Sequence, residues 1–303
     1  MLYPGCEREV FSCGECGASY FWPVPSPEDI ARCYPPVYFR DFLKQYWKDY
    51  YKGRLLAEGL SAWKSRGVFV DVGCALGTML AGVRDHSGWK VLGLEFARAA
   101  AETGKRLNGV EIAQGGLSDA PWPDESVDCV HMNNVLEHEA KPAEALAAAS
   151  RLLKPGGRLR LSLPNGPLDI LPTKTLYRRW GRAVTTRHGG HLFFFSRKAL
   201  FLLLERAGLR PLSVRNFHLK TALKARGWTP RAYRLFKRAP RPRTAAPQGD
   251  EKSLSAEECR RLIPPRPSWR LYGLRARLRR LWRWPFDWGC DFEVLAEKSG
   301  RRP

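Results

Sequence analysis

From Val68 onward the chain alternates two hydrophobic rhythms. Short apolar runs, VFVDV, KVLGLE, VEIAQ, VDCVHM and GRLRLSL, are separated by longer stretches whose apolar residues recur every three or four positions, notably Thr78 to Asp85, Ala97 to Leu107 and Pro142 to Leu153. Crossover helices cover both sides of a parallel sheet, so strands that read as nearly continuous apolar runs between amphipathic helices belong to that arrangement. The turn KPGG at Lys154 to Gly157 stops the third of these helices and starts the last strand. A further helix, Ser196 to Ala207, opens on a Ser cap and closes on Gly208. PLSVRNF and DFEVLAEK read as the two strands of a terminal antiparallel hairpin. The pattern thus predicts an α/β domain: a seven-stranded, mostly parallel sheet with helices on both faces and that hairpin at one edge.

Outside this alternation the rhythm changes. Residues 1–40 form a Cys- and Pro-rich lead-in, read as irregular because prolines at 23, 25, 27, 35 and 36 withhold backbone donors. A helical segment follows over 41–66, with Leu43, Tyr46, Trp47, Tyr50, Tyr51 and Leu55 at helical spacing. The α/β core spans 67–217, and the last strand and tail span 289–303. Between the hairpin strands lies an insertion, 218–288. It holds a Pro/Arg/Lys tract, FKRAPRPRTAAPQGD, read as flexible, and then the basic amphipathic stretch SWRLYGLRARLRRLWRW.

Composition narrows the class. With 303 residues, 44% hydrophobic and 12% aromatic, the chain is globular and long enough for one full core with appendages. No apolar stretch reaches the length of a membrane span, and the first residues lack the pattern of a secretory signal or a transit peptide. The eight cysteines are scattered, which suits a reducing compartment. A cytoplasmic location, with peripheral contact at the inner membrane face as an option, is the expectation. The net charge of +21 is concentrated: residues 211–303 hold 23 Lys+Arg against 8 Asp+Glu. Any anionic partner therefore meets the C-terminal third.

The chemistry-bearing residues cluster at strand ends. VFVDVGCALGTML puts Asp71 and Gly73 directly after the first buried strand, Cys74 next, Gly77 four residues beyond Gly73, and a helix behind them. In an open α/β sheet ligands sit beyond the carboxyl ends of the strands, where glycines let the backbone approach. Glu95 ends the second strand, ahead of Phe96, where a carboxylate can accept hydrogen bonds from both hydroxyls of a ribose.

A glycine loop alone would equally serve NAD, FAD or a plain turn. The downstream strings GGLSDAPWPDESVDCVHMNNVLEH, LAAASRLLKPGGRLRLSLPN and HGGHLFFFSRKALFLLLERAGL separate these options. Together with the loop they resemble the class I S-adenosylmethionine-dependent methyltransferases of bacterial small-molecule and glycan modification, over roughly residues 66–217. The resemblance implies a Rossmann-like sheet and S-adenosylmethionine as donor. It places Asp71, Gly73 and Gly77 around the methionine part of the donor, Glu95 at the ribose, Gly116 and Leu117 beside the adenine, and Asn133 and Asn134 beside the sulfonium, with Cys74 and Phe96 as further donor-binding positions. Two positions depart from the pattern: Ala75 stands at the usual middle glycine, and Gly116 where many relatives carry Asp.

The sulfonium already activates the methyl group, so transfer requires alignment and, for a hydroxyl acceptor, removal of a proton; no metal is required. His138, His188 and His191 are the candidate bases, with capping or loop-orienting roles as the alternative for each. Cys13 and Cys16 resemble half of a small zinc ribbon, with Cys6 and Cys33 as the other ligands if a site survives; otherwise all four are free thiols. The stretch 269–284 sets Leu271, Leu274, Leu278 and Leu281 on one helical face, with six arginines from Arg270 to Arg283 mostly elsewhere. It could lie on an anionic membrane, grip RNA phosphates, or pack on its own domain. The expected reaction is O-methylation of a small molecule or glycan precursor. An RNA methyltransferase and a non-catalytic donor-binding module are the alternatives, the former lacking an NPPY-like tetrad and a catalytic cysteine motif.

Overall fold

The computed structural model describes residues 9–26, 30, 36–171, 190–217, 254–281 and 291–300. The strands are β1 (Glu9–Ser12), β2 (Ser19–Trp22), β3 (Val68–Val72), β4 (Lys90–Glu95), β5 (Glu111–Gln114), β6 (Val127–Asn133), β7 (Leu153–Pro164), β8 (Phe193–Phe194), β9 (Leu209–Phe217) and β10 (Asp291–Lys298). The helices are α1 (Pro36–Lys44), α2 (Tyr46–Trp63), α3 (Thr78–Arg84), α4 (Arg98–Asn108), α5 (Pro142–Leu152), α6 (Gly166–Asp169), α7 (Arg197–Arg206), α8 (Ala256–Leu262) and α9 (Trp269–Leu281).

Seven strands form the main sheet in the order β5-β4-β3-β6-β7-β10-β9. β3 to β7 pair in parallel, while β10 is antiparallel to both β7 and β9. The winding reverses between β3 and β6, which opens a crevice at their carboxyl ends. Alternation along the strands divides the core between the faces. Phe69, Val91, Ile112 and Cys129 bury against Tyr50, Tyr51, Leu56 and Leu60 of α2 and Leu80 and Val83 of α3. Val70, Leu92, Val130 and Leu159 bury against Leu146, Ala149 and Leu152 of α5 and Leu200 and Leu204 of α7. The predicted α/β class, mostly parallel sheet and terminal hairpin are therefore present.

Three local readings change. The lead-in contains regular structure: β1 and β2 form a hairpin, and β2 pairs with β8 to make a second, three-stranded sheet. The prolines bound these elements, since β2 stops before Pro23 and α1 starts at Pro36. The helical segment expected over 41–66 is helical, but as two helices, the first starting at Pro36, broken at Gln45. Phe39 and Leu43 bury with Leu76, Ala100 and Cys259, whereas Tyr50, Tyr51 and Leu60 follow the sheet, so one straight helix would not serve both. The KPGG segment lies within β7 as a bulge: Val127 pairs with Leu153 and the ladder resumes at Cys129 and Arg158, with Gly156 at φ +76°.

Of the insertion, residues 254–281 are described. α8 starts on a capping box between Ser255 and Glu258, and Cys259 joins Phe39 and Leu43 in the core. The Trp47 indole donates to the Pro264 carbonyl (2.8 Å), the Tyr51 hydroxyl donates to that of Pro267 (2.5 Å), and the Arg54 guanidinium lies 4.0 Å from the centre of the Trp269 ring. The Trp269 and Tyr272 side of α9 therefore packs on α2, while Leu271 and Leu274 stay 61% and 58% exposed. The Pro/Arg/Lys tract and residues 282–284 fall outside the described residues. Among the described residues, no helix is long and apolar enough to cross a membrane.

Asp128 anchors the start of the central strand. Its buried carboxylate accepts from Lys64 (2.5 Å), Lys154 (2.8 Å) and the Val68 N–H (2.9 Å). Burial opposes its charge, but the two lysines and the amide outweigh it and hold the carboxyl below its ordinary 3.8. With the folded pKa depressed, its stabilisation is whole above 3.8 and is lost as pH falls through the lower folded value. Asp128→Ala is expected to cost about 1–3 kcal/mol at pH 7, read from urea denaturation, with the difference from the parent shrinking on acidification.

Candidate functional site

The loop after β3 is shaped by left-handed backbone. Gly73 (φ +65°) and Gly77 (φ +64°) sit in the region where side chains are strained, and a Cβ at either would lie 2.6 Å from a methyl of Val135 or Val110 respectively. Ala75, at the position of the departing glycine, also adopts positive φ (+50°) and carries the strain of a Cβ there. The amides of Gly73 and Cys74 donate to the Leu94 carbonyl at 2.8 and 3.2 Å, binding the loop to the end of β4. Asn108, at the end of α4, holds it from behind: its amide donates to the Leu76 carbonyl (2.6 Å) and its oxygen accepts from Tyr46 (2.7 Å). Cys74 is buried over Gly93, and burial pushes its thiol well above the ordinary 9.0, so it packs as a small apolar group.

Two buried carboxylates flank this loop in different roles. Glu95 accepts from the Ala75 N–H (2.8 Å) through one oxygen and from the Ala97 N–H (2.9 Å) through the other. A carboxylate offers about four acceptor directions, so each oxygen keeps one for a ligand hydroxyl. Burial raises its pKa, with the backbone donors working against that. Asp71 turns instead to the neighbouring strand, its Oδ1 lying 2.7 Å from His131 Nδ1, and the two residues are register partners between β3 and β6. Burial raises Asp71, and the His131 bond works against that. Nothing in sequence spacing pointed to His131, which sits in mid-strand of an apolar run.

Beyond Glu95, Phe96 is 47% exposed beside the crevice, while Leu117 is buried in the sheet core. A Cβ at Gly116 would meet no atom within 4 Å. The apolar surface offered to a flat ring on this side is therefore Phe96. Asn133 and Asn134 are exposed at the end of β6. Asn134 takes φ +54°, a conformation Asn tolerates, and its amide donates to the Ser162 carbonyl (2.8 Å).

After Asn134 the chain passes Val135, whose methyl faces Gly73, and enters a single 3-10 turn, Leu136–His138. His191 joins this turn from the strand side: the Leu192 N–H donates to the Glu137 carbonyl (2.7 Å), and the rings of His138 and His191 meet edge to face at 4.9 Å. Asp169, at the end of α6, lies 2.7 Å from His191 Nδ1 through its Oδ2. Burial pushes the Glu137 carboxyl up to about 7. Burial, aided by the charge of His191, pushes His138 down to about 4. His191 goes the other way, because Asp169 outweighs the burial that disfavours its charge. Glu137 and Asp169 were not among the residues singled out from sequence; the EH and HxxH spacings were the available signal. His188 lies outside the described residues.

Cys13 and Cys16 sit at the tip of the β1–β2 hairpin, where Gly17 donates to the Cys13 carbonyl (2.9 Å) and the Ser196 hydroxyl donates to that of Cys16. Hydrogen bonds from Cys16 lower the Cys13 thiol. Cys6 and Cys33 fall outside the described residues, and among those described no third ligand joins the pair.

The model of a family described as "Methyltransferase domain" matches residues 40–214. An uncharacterised 37.1 kDa protein in transposon TN4556 of Streptomyces fradiae is 39% identical over 127 residues, 39% of this chain and 36% of that protein. A Mycolicibacterium smegmatis protein, provisionally named an S-adenosylmethionine-dependent methyltransferase, is 38% identical over 77 residues, 25% of this chain and 30% of that protein. The chain thus spans about a third of the length of each of these curated relatives. A crystal structure of a candidate sarcosine dimethylglycine methyltransferase from Galdieria sulphuraria aligns with a TM-score of 0.50 at 14% identity, over 82% of this chain and 86% of that one, and shows the same fold. With its model matched over more than half of its 303 residues, the chain belongs to the methyltransferase-domain family of S-adenosylmethionine-dependent enzymes.

Proposed function

We propose that the chain transfers the methyl group of S-adenosylmethionine to an oxygen of a small molecule or glycan precursor. In this reading the loop Asp71–Gly77 holds the methionine end of the donor, and Glu95 takes the ribose hydroxyls with its remaining acceptor directions. The adenine lies between Phe96 and the backbone at Gly116, with Leu117 behind it, and Asn133 and Asn134 border the sulfonium. The observation that carries the choice of oxygen is the cluster of Glu137, His138, His191 and Asp169, which follows the donor loop by the Val135–Gly73 contact. A hydroxyl must lose its proton as its lone pair attacks the methyl carbon and the C–S bond breaks; a carboxylate–imidazole group beside the methyl is suited to that task. The covering sheet of β1, β2 and β8, joined to the cluster through the Phe21 N–H bond to the Leu192 carbonyl (3.0 Å), helps to exclude water.

The test has two readouts. Calorimetry with S-adenosylmethionine is expected to show binding. Release of S-adenosylhomocysteine is then followed in the presence of phenols, sugar nucleotides and, separately, bulk RNA. The reading expects release with a hydroxyl compound and a fall of about 100-fold or more in turnover for His191→Ala with donor affinity retained. Release with RNA alone would favour the basic C-terminal third as a phosphate grip, and donor binding without any release would favour a non-catalytic module.

A further inference from the structure

Glu137 is 1% exposed, and neither of its carboxylate oxygens has a hydrogen-bond partner among the described residues; the same holds for His138 Nδ1. A buried carboxylate without donors or counter-charge costs several kcal/mol. No Lys or Arg among the described residues pairs with Glu137; the groups beside it are imidazoles, His138 at 4.0 Å and His191, whose charge favours the carboxylate. One ligand atom each from Glu137, His138 and His191 lie within 4.8 Å of one another, the one such group of three among the described residues. The two segments that bring them together are tied by the backbone bond from Leu192 to Glu137 (2.7 Å), so the site is assembled by the fold rather than by chance rotamers.

We propose that Glu137, His138 and His191 bind one divalent first-row transition cation, zinc being the probe, with a coordination position left for an acceptor oxygen. Two imidazoles and one carboxylate are the donor set of catalytic zinc and related sites, where three protein ligands leave a position for water or substrate. A tetrahedral ion with bonds of ~2.1 Å sets neighbouring ligands ~3.4 Å apart, a contraction that side-chain rotation supplies. Asp169 on His191 Nδ1 is the arrangement that orients a metal-bound imidazole and leaves Nε2 to coordinate. The charges close as well, since Glu137 and Asp169 together balance a dication. The site stands on this geometry alone, while its use rests on the O-methylation reading. There, the cation would replace the carboxylate–imidazole group as the means of acidifying the acceptor hydroxyl: its proton would pass to solvent, its oxygen would form the bond to the methyl carbon, and the electron pair of the broken C–S bond would stay on sulfur as S-adenosylhomocysteine.

The experiment uses the full chain carrying Cys13→Ser and Cys16→Ser, so that hairpin thiols take up no metal. Stripped with EDTA and titrated with zinc chloride by calorimetry, it is expected to bind one equivalent at about 1 µM or tighter, with a rise in melting temperature. Glu137→Gln and His191→Ala are expected to weaken zinc by about 100-fold or more, and Asp169→Asn by about 10–100-fold. Donor calorimetry on the same samples reports whether each variant is folded. No zinc uptake at about 100 µM by a chain that binds the donor overturns the site, and so does uptake unchanged by Glu137→Gln and His191→Ala. One equivalent of zinc, lost in those variants, supports the site even in a chain that binds no donor; that outcome counts against the methyltransferase reading alone.

Discussion

Glu95→Ala is expected to raise the dissociation constant for S-adenosylmethionine more than tenfold. The carboxylate is to accept two charge-assisted hydrogen bonds from the ribose, each worth about 1.5–3 kcal/mol, and 1.4 kcal/mol is already tenfold. The same change frees the Ala75 and Ala97 amides, so the loop keeps only its backbone bonds to Leu94 as ties to β4 and stability falls as well. Glu95→Gln separates the two effects, because its amide oxygen keeps one backbone bond while its NH2 group faces the other donor. It is expected to bind the donor better than the Ala variant and worse than the parent. Asp71→Ala is also expected to weaken the donor more than tenfold, but through the strand end: Oδ1 of the carboxylate is engaged by His131, so Asp71→Asn, whose amide oxygen can still accept there, recovers most of the loss. Calorimetry on the four variants, with urea denaturation beside it, checks the ordering.

Gly73→Ala is expected to remove measurable donor binding and to cost about 2–4 kcal/mol of stability, from ~1–2 kcal/mol for a Cβ in the left-handed region and the rest from overpacking. The overlap is with Val135, whose β-branched side chain cannot rotate away without disturbing the turn that carries Glu137 and His138. Adding Val135→Ala is therefore expected to recover the steric part but not the backbone part, a coupling of about 1–2 kcal/mol between the two sites in a double-mutant cycle. Additive losses would show that Val135 does not wall the loop.

Those contacts explain what could be read along the chain and what could not. The parallel strands were legible because burial on both faces leaves an unbroken apolar signature in runs such as VFVDV and KVLGLE, and the glycine loop because left-handed backbone and close approach restrict residue choice at 73 and 77. The β1–β2 hairpin was hidden, since its strands are four residues each and lie among prolines whose effect stops at the element ends. Gln45 breaks a helix whose apolar spacing runs on unbroken, because what divides α1 from α2 is the different surfaces they cover. The pairing of Asp71 with His131, and of His191 with Asp169, joins positions 60 and 22 residues apart, which no local pattern encodes. Leu117, which the resemblance places beside the adenine, begins a 3-10 turn and is buried in the core, a placement that no local pattern encodes.

The proposed donor site lies at the carboxyl ends of β3 and β4. A crystal of this chain soaked with S-adenosylmethionine tests it directly. Density for the nucleoside between the Gly73–Gly77 backbone and Phe96, with both ribose hydroxyls within hydrogen-bond distance of Glu95, is the predicted result. Loop and carboxylate left without ligand at saturating donor, or the nucleoside bound elsewhere, would contradict it.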